Sequence, residues 1–181
     1  MLLYGGLCLS LLSKSLSGAL LAIFSLLPCT ARAEVQIALE NRVRNLPEGR
    51  CAWCALETLA RHHGIKRLYG LADTHTKRAT QKDLEDALDE VRVDYRTQPI
   101  GTRSTTILRY AIHEKRGAIV GFRERVPGEG PHMVTLVDIG PNEVRVLDCN
   151  DADGRVRTMS LKRFLSWWDG FALVLEKHDE N

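Results

Sequence analysis

The chain has 181 residues, with 25 basic and 23 acidic side chains and a formal net charge of +2 at pH 7. That length suits one domain plus a targeting segment, and without a basic block or an aromatic-basic stripe nucleic acid is not an expected partner. Once Lys14 and Arg32 are set aside, basic and acidic residues balance over the rest of the chain.

Residues 1–33 hold no acidic side chain, and Gly18 to Leu27 is an almost unbroken apolar run. The run is short for a membrane span, and Ala31-Arg32-Ala33 behind it has the small-residue pattern of a signal-peptidase cut. The expectation is a signal peptide over 1–33, with an uncleaved anchor as the alternative, and a single domain over 34–181. The protein would then be bacterial and exported, periplasmic or secreted, touching membrane only through the N-terminal segment if that is retained. Cys8 and Cys29 leave with the signal. Cys51, Cys54 and Cys149 stay, an odd number that implies a free thiol or an intermolecular bond.

Glu34 to Arg44 reads as a short polar helix or arm, and Asn45 to Arg50 as a loop, by its Pro47 and Gly49. Cys51 to His63 reads as a helix: Leu56, Leu59, Ala60 and His63 share a face, and Gly64 is a natural stop. Thr80-Gln-Lys-Asp83 has the form of a capping box before the stripe Leu84, Ala87, Leu88 and Val91. Thr105 to Lys115 is a further helix with Ile107, Leu108, Ala111 and Ile112 on one side. Beyond it the pattern changes. Ala118 to Phe122 is a strand, and 126–131 is a loop rich in Pro and Gly. Met133 to Ile139 and Glu143 to Leu147 form a hairpin about Gly140-Pro141-Asn142. Ser160 to Trp168 is a helix capped by Ser160, and Phe171 to Glu176 a last strand. Helices first and consecutive strands later predict an α+β fold with an antiparallel sheet.

Three residues stand where nucleophilic chemistry needs them. Cys51 opens a helix, whose N-terminal partial charge favours a thiolate. His132 opens a strand after a flexible loop. Asp148 closes the facing strand, and the two are equidistant from Gly140 in the turn. They are expected as cross-strand neighbours, the arrangement in which a carboxylate orients an imidazole. Other readings exist for the same residues. Cys51 and Cys54 form a CxxC pair, but a Pro/Gly loop precedes it where a redox motif has a strand. Zinc on Cys51, Cys54, His62 or His63, and Cys149 lacks a second spaced pair, so no metal and no cofactor is expected. Asn150 is an alternative orienter to Asp148. Taken without further context, a Cys, a His and an Asp also occur together in most chains of this size.

Four segments add a resemblance. Cys51-Ala-Trp-Cys-Ala-Leu-Glu-Thr-Leu-Ala-Arg-His-His-Gly64 looks like the nucleophile helix of the peptidases that remove double-glycine leaders from bacteriocins, and of their stand-alone relatives. His132-Met-Val-Thr-Leu-Val137 is similar to that family's His-bearing strand, Val144-Arg-Val-Leu-Asp148 to its Asp-bearing strand, and 159–175 to its closing helix and strand. The resemblance spans Asn45 to Leu175 in order and spacing. It implies a papain-like fold, N-terminal helices packed on an antiparallel sheet, and hydrolysis of peptide bonds in a peptide or protein substrate through a thioester. Cys51 would be nucleophile, His132 base and Asp148 orienter. Where the family places a Gln six residues before the nucleophile, donating to the oxyanion, this chain has Asn45, one methylene shorter; where a Pro follows the Asp, it has Cys149. A papain-type register with Cys54 as nucleophile would put Glu48 in the oxyanion position, where a carboxylate repels. An inactive peptide-binding module on the same fold is the reading from a different functional class.

Overall fold

The computed structural model describes residues 34–44, 49–123, 131–151 and 153–176, all within the compact unit Ala33–Asn181. The expected signal segment, Asn45 and the 126–131 loop up to Gly130 lie outside the described residues. Among the described residues five helices, α1 (Cys51–His62), α2 (Leu71–Thr74), α3 (Gln81–Glu90), α4 (Thr106–His113) and α5 (Leu161–Trp167), accompany six strands. These are β1 (Tyr95–Gln98), β2 (Ala118–Phe122), β3 (His132–Ile139), β4 (Glu143–Leu147), β5 (Val156–Ser160) and β6 (Trp168–Leu175). They form one sheet in the order β1-β6-β2-β3-β4-β5, every pair antiparallel. The fold is α+β, as the pattern of helices followed by strands predicts, and papain-like, as the family resemblance implies.

α1 is the centre of the helical half. Every residue from Ala52 to Ala60 is buried, so the helix is covered by β3 on one side and by short helical pieces on the others. Leu56 and Leu59 are fully buried, which contributes about 2–3 kcal/mol each. The helix ends at His62 with His63 as its C-cap, and Gly64 follows at φ +74°. At its start no side chain caps the first turn, which leaves backbone N–H groups there without intrahelical partners. β2 and β6 lie side by side in the middle of the sheet, and β2 is buried along its whole length.

The arm before α1 is extended apart from a single 3-10 turn at Leu39–Asn41. Val35 and Ile37 alternate into the core, and the Val35 N–H donates to the Val137 carbonyl at 2.9 Å. Three elements are additional to those the sequence pattern suggests. β1 and β5 are the two edge strands; their sequences Tyr-Arg-Thr-Gln and Val-Arg-Thr-Met-Ser are half-exposed and carry no apolar alternation. α2 is held from outside: the Ala72 N–H donates to the buried Glu57 carboxylate at 2.9 Å, and the Arg50 guanidinium donates to the Ala72 carbonyl. The closing helix begins at Leu161, its N-cap Ser160 hydroxyl accepting from the Arg163 N–H at 3.2 Å. It stops one residue early, because Trp168 is fully buried as the first residue of β6 and its Nε1 donates to the Phe171 carbonyl at 2.7 Å.

Candidate active site

Cys51 is the first residue of α1, half-buried where the uncapped helix end meets β3. The Met133 N–H donates to its Sγ at 3.4 Å, and His132 hydrogen-bonds the same sulfur. The His132 Nε2 lies 2.8 Å from Asp148 Oδ1. With Nε2 on the carboxylate, the ring presents Nδ1 to the thiol. His132 and Asp148 side chains are 18% and 15% exposed, so the pair is shielded yet reachable from one side. A second oxygen-directed bond comes from the Asn150 backbone N–H, at 3.0 Å from the same Asp148 Oδ1.

The electrostatics follow from this chain of contacts. Burial is the strongest influence on Cys51 and taken alone pushes the thiol up; the hydrogen bond and charge of His132, with the N–H groups of Met133 and Ala52, outweigh it and hold the thiol below its ordinary value. Burial likewise pulls His132 down, but the bonds and charges of Asp148 and Cys51 push it up to about 9. Asp148 is held below the ordinary carboxylate value: burial raises it, and His132, the Asn150 N–H and the nearby charge of Arg157 lower it further. All three shifts favour the state with thiolate, imidazolium and carboxylate in series. Such an array can attack an electrophilic carbon with sulfur and return a proton from nitrogen.

The contact between His132 and Asp148 does not arise as the hairpin geometry suggests. β3 and β4 pair Thr135 with Leu147 and Leu136 with Val146, and a bulge near Asp138 shifts the register toward the turn. Continued past Leu147, that register sets Asp148 against Val134 and Asn150 against His132. Asp148 thus reaches His132 diagonally, beyond the end of the ladder, a separation that side chains can bridge. Asn150, directly opposite by register, is exposed, and its bond to the site is through backbone.

The rival sulfur is placed elsewhere. Cys54 is fully buried, and its Sγ donates to the Arg44 carbonyl at 3.5 Å. Cys149 is half-buried with its Sγ 3.8 Å from the Cys51 carbonyl oxygen. His62 and His63 lie at the far end of α1, His63 with its Nε2 2.9 Å from the Arg116 carbonyl. Two contributors have no sequence signature: the Met133 N–H, a backbone group that any residue would supply, and Arg157, whose influence depends on where β5 pairs. Among the described residues no group of three or more His, Cys, Asp or Glu is arranged to hold a metal ion. Asn45, the expected oxyanion donor, lies outside the described residues.

A sequence model described as the peptidase C39 family matches residues 40–180, and the chain belongs to that family. It is a cysteine peptidase. Among solved structures it is similar to the peptidase domain of Streptococcus ComA, a bifunctional ABC transporter involved in a quorum-sensing pathway. There the identity is 23% and the TM-score 0.58, with 75% of this chain and 97% of that one covered. The peptidase domain of Streptococcus mutans ComA is similar at 21% identity and TM-score 0.53, covering 75% of this chain and 98% of that one. A double-glycine-motif protease from an AMS/PCAT transporter, in complex with a leader peptide, has the same fold at 11% identity and TM-score 0.57, over 82% and 96% of the two chains. No curated protein matches the chain.

Proposed function

We propose that the protein is an exported peptidase in which Cys51 attacks the carbonyl carbon of a peptide bond, His132 carries the proton and Asp148 orients His132. The observation that carries this reading is the unbroken series from the Met133 N–H and Cys51 Sγ through His132 to Asp148, with the last link at 2.8 Å. Thiolate attack forms the carbon–sulfur bond and an oxyanion. The oxyanion collapses as the His132 imidazolium gives its proton to the departing amine, leaving a thioester. Water, deprotonated by the now neutral His132, attacks the thioester and releases the carboxylate product with the thiol regenerated as thiolate. Asn45 is assigned as the oxyanion donor, its side-chain N–H taking the role of the family's Gln.

The substrate is a peptide or protein segment in extended form. The leader-peptide complex of the AMS/PCAT relative makes a peptide with a double-glycine motif followed by a further segment, which leaves as the amine, the natural first probe. The test has two arms. Cys51→Ala removes all turnover of the peptide, and Cys54→Ala leaves most of it. Iodoacetamide at neutral pH labels Cys51 in the parent protein and much more slowly in His132→Ala. Turnover that survives Cys51→Ala but not Cys54→Ala would move the nucleophile to the buried cysteine and overturn the assignment.

A further inference from the structure

Cys51, Cys54 and Cys149 converge on the first turn of α1, and the proposed mechanism uses only the first of them. Cys149 enters from the turn after β4, which is closed by the Asp151 N–H donating to the Asp148 carbonyl at 3.1 Å. Its Sγ sits 3.8 Å from the Cys51 carbonyl oxygen. A helical carbonyl points along the axis toward the next turn, where residues three and four positions on reside. Cys54 is three positions on. Cys54 is accordingly the neighbour that acts most strongly on the Cys149 thiol. Cys51 Sγ is turned to the other side, toward the Met133 N–H and His132. The three thiols thus divide into two neighbours on the inner side of the turn, Cys54 and Cys149, and a single one engaged by the imidazole.

We propose that Cys54 and Cys149 form a disulfide that staples the first turn of α1 to the Asp148 turn and leaves Cys51 free. The proposal rests on the placement of the thiols and not on the peptidase reading. Its chemistry is oxidation by a disulfide of the glutathione type. The two thiols lose two protons, one S–S bond forms between them, and two electrons reduce the donor disulfide to two thiols. In the folded chain this exchange is slow: Cys54 is fully buried and out of reach of a soluble disulfide, and the neighbouring Cys54 and burial both push the Cys149 thiol up, which leaves it a poor attacking thiolate. The bond therefore forms as the chain folds and afterwards resists reduction. Its consequence for the site is positional. The staple ties the helix bearing Cys51 to the turn bearing Asp148, the two elements whose separation sets the His132 alignment.

The test is disulfide mapping of the full chain refolded in a buffer of oxidised and reduced glutathione, then blocked with N-ethylmaleimide and digested with trypsin without reduction. The expected product joins peptides 51–61 and 146–155, with fragmentation placing the maleimide on Cys51 and the link on Cys54. The Cys51→Ala variant gives the same linked pair, and its melting temperature falls by roughly 10 °C on reduction under denaturing preincubation. The Cys149→Ser variant shows no such response to reductant. Maleimide on both Cys54 and Cys149, a link through Cys51 or to the N-terminal cysteines, or a melting temperature indifferent to reductant would each overturn the proposal. None of these readouts involves turnover, so a protein that carries the bond but cleaves nothing would separate this inference from the peptidase assignment.

Discussion

The proton shared between Cys51 and His132 is held in place by a carboxylate that no water-exposed pairing would make so effective. Asp148 is shielded and bonded at 2.8 Å, so its charge acts through little solvent and favours imidazolium. The expected pH profile of kcat/KM is a plateau. It falls on the acid side where the lowered Cys51 thiol takes up its proton, and on the alkaline side as His132 loses its own near about 9. Asp148→Asn keeps the shape and removes the charge. kcat should drop on the order of a hundredfold or more with little change in KM, and the alkaline limb should move to lower pH. Asn150→Ala should do far less, because the contribution of Asn150 to Asp148 is a backbone N–H that survives the change. A crippling Asn150→Ala beside a mild Asp148→Asn would reassign the orienter.

The same shifts carry a stability prediction. The folded His132 is raised above its ordinary 6.5 to about 9, so its stabilising effect is fully present below 6.5 and is lost as pH rises through about 9. Asp148 is lowered below its ordinary 3.8, so its effect is present above 3.8 and is lost as pH falls through its lower folded value. Melting temperature measured against pH should decline at both ends. In Asp148→Asn the alkaline decline should begin earlier.

At the scale of elements, local and long-range determinants separate cleanly. α3 is built locally. The Thr80 hydroxyl accepts from the Asp83 N–H at 3.3 Å, and the Asp83 carboxylate accepts from the Thr80 N–H at 2.7 Å. Thr80→Ala should cost about 1 kcal/mol of stability, read as a lower melting temperature with turnover unchanged. β6 depends on tertiary approach. Gly170 has φ +106°, and a Cβ there would lie 2.5 Å from the Thr102 carbonyl oxygen and 2.7 Å from the Gly101 nitrogen. Both obstacles are backbone, and the Gly101 N–H is already bonded to the Asp169 carbonyl at 2.8 Å. Gly70 has φ +83° with nothing within 4 Å of a Cβ. Gly170→Ala should therefore destabilise by upwards of ~2 kcal/mol, and Gly70→Ala by about 1 kcal/mol, the strain of the backbone alone. Equal losses in chemical denaturation would show that the 101–102 segment yields to the methyl group.

For the whole molecule, the helical half supplies Cys51 and the sheet supplies His132 and Asp148, the nucleophile, base and orienter of the proposed mechanism, so the three come together only when α1 docks on β3. Export is the remaining expectation at this scale. Ala31-Arg32-Ala33 precedes Glu34, and N-terminal sequencing of protein recovered from the envelope or medium should begin at Glu34. Recovery of protein still carrying Gly18 to Leu27 would identify an anchor instead.

What the sequence determined on its own is whatever rests on short-range periodicity and local chemistry. α1 is legible because Leu56, Leu59 and Ala60 repeat at helical spacing before Gly64, α3 because Thr80 and Asp83 are three residues apart, and the β3–β4 hairpin because two apolar runs flank Gly140-Pro141-Asn142. The positions of Cys51 at the start of α1, of His132 at the start of β3 and of Asp148 just past the end of β4 follow from the same local signals. Tertiary structure alone decided the rest. The edge strands β1 and β5 have polar sequences because they bury little, so their pairing with β6 and β4 leaves no apolar trace. α2 exists because a buried Glu57 and Arg50, 15 and 22 residues away in sequence, bond to Ala72. The diagonal reach of Asp148 to His132, in place of a direct cross-strand pair, depends on a register and a bulge set by packing on both faces of the sheet. The approach of Cys149 to the first turn of α1 has the same origin: the chain places Cys149 and Cys54 95 residues apart, and only the docking of the Asp148 turn sets the Cys149 Sγ 3.8 Å from the Cys51 carbonyl oxygen.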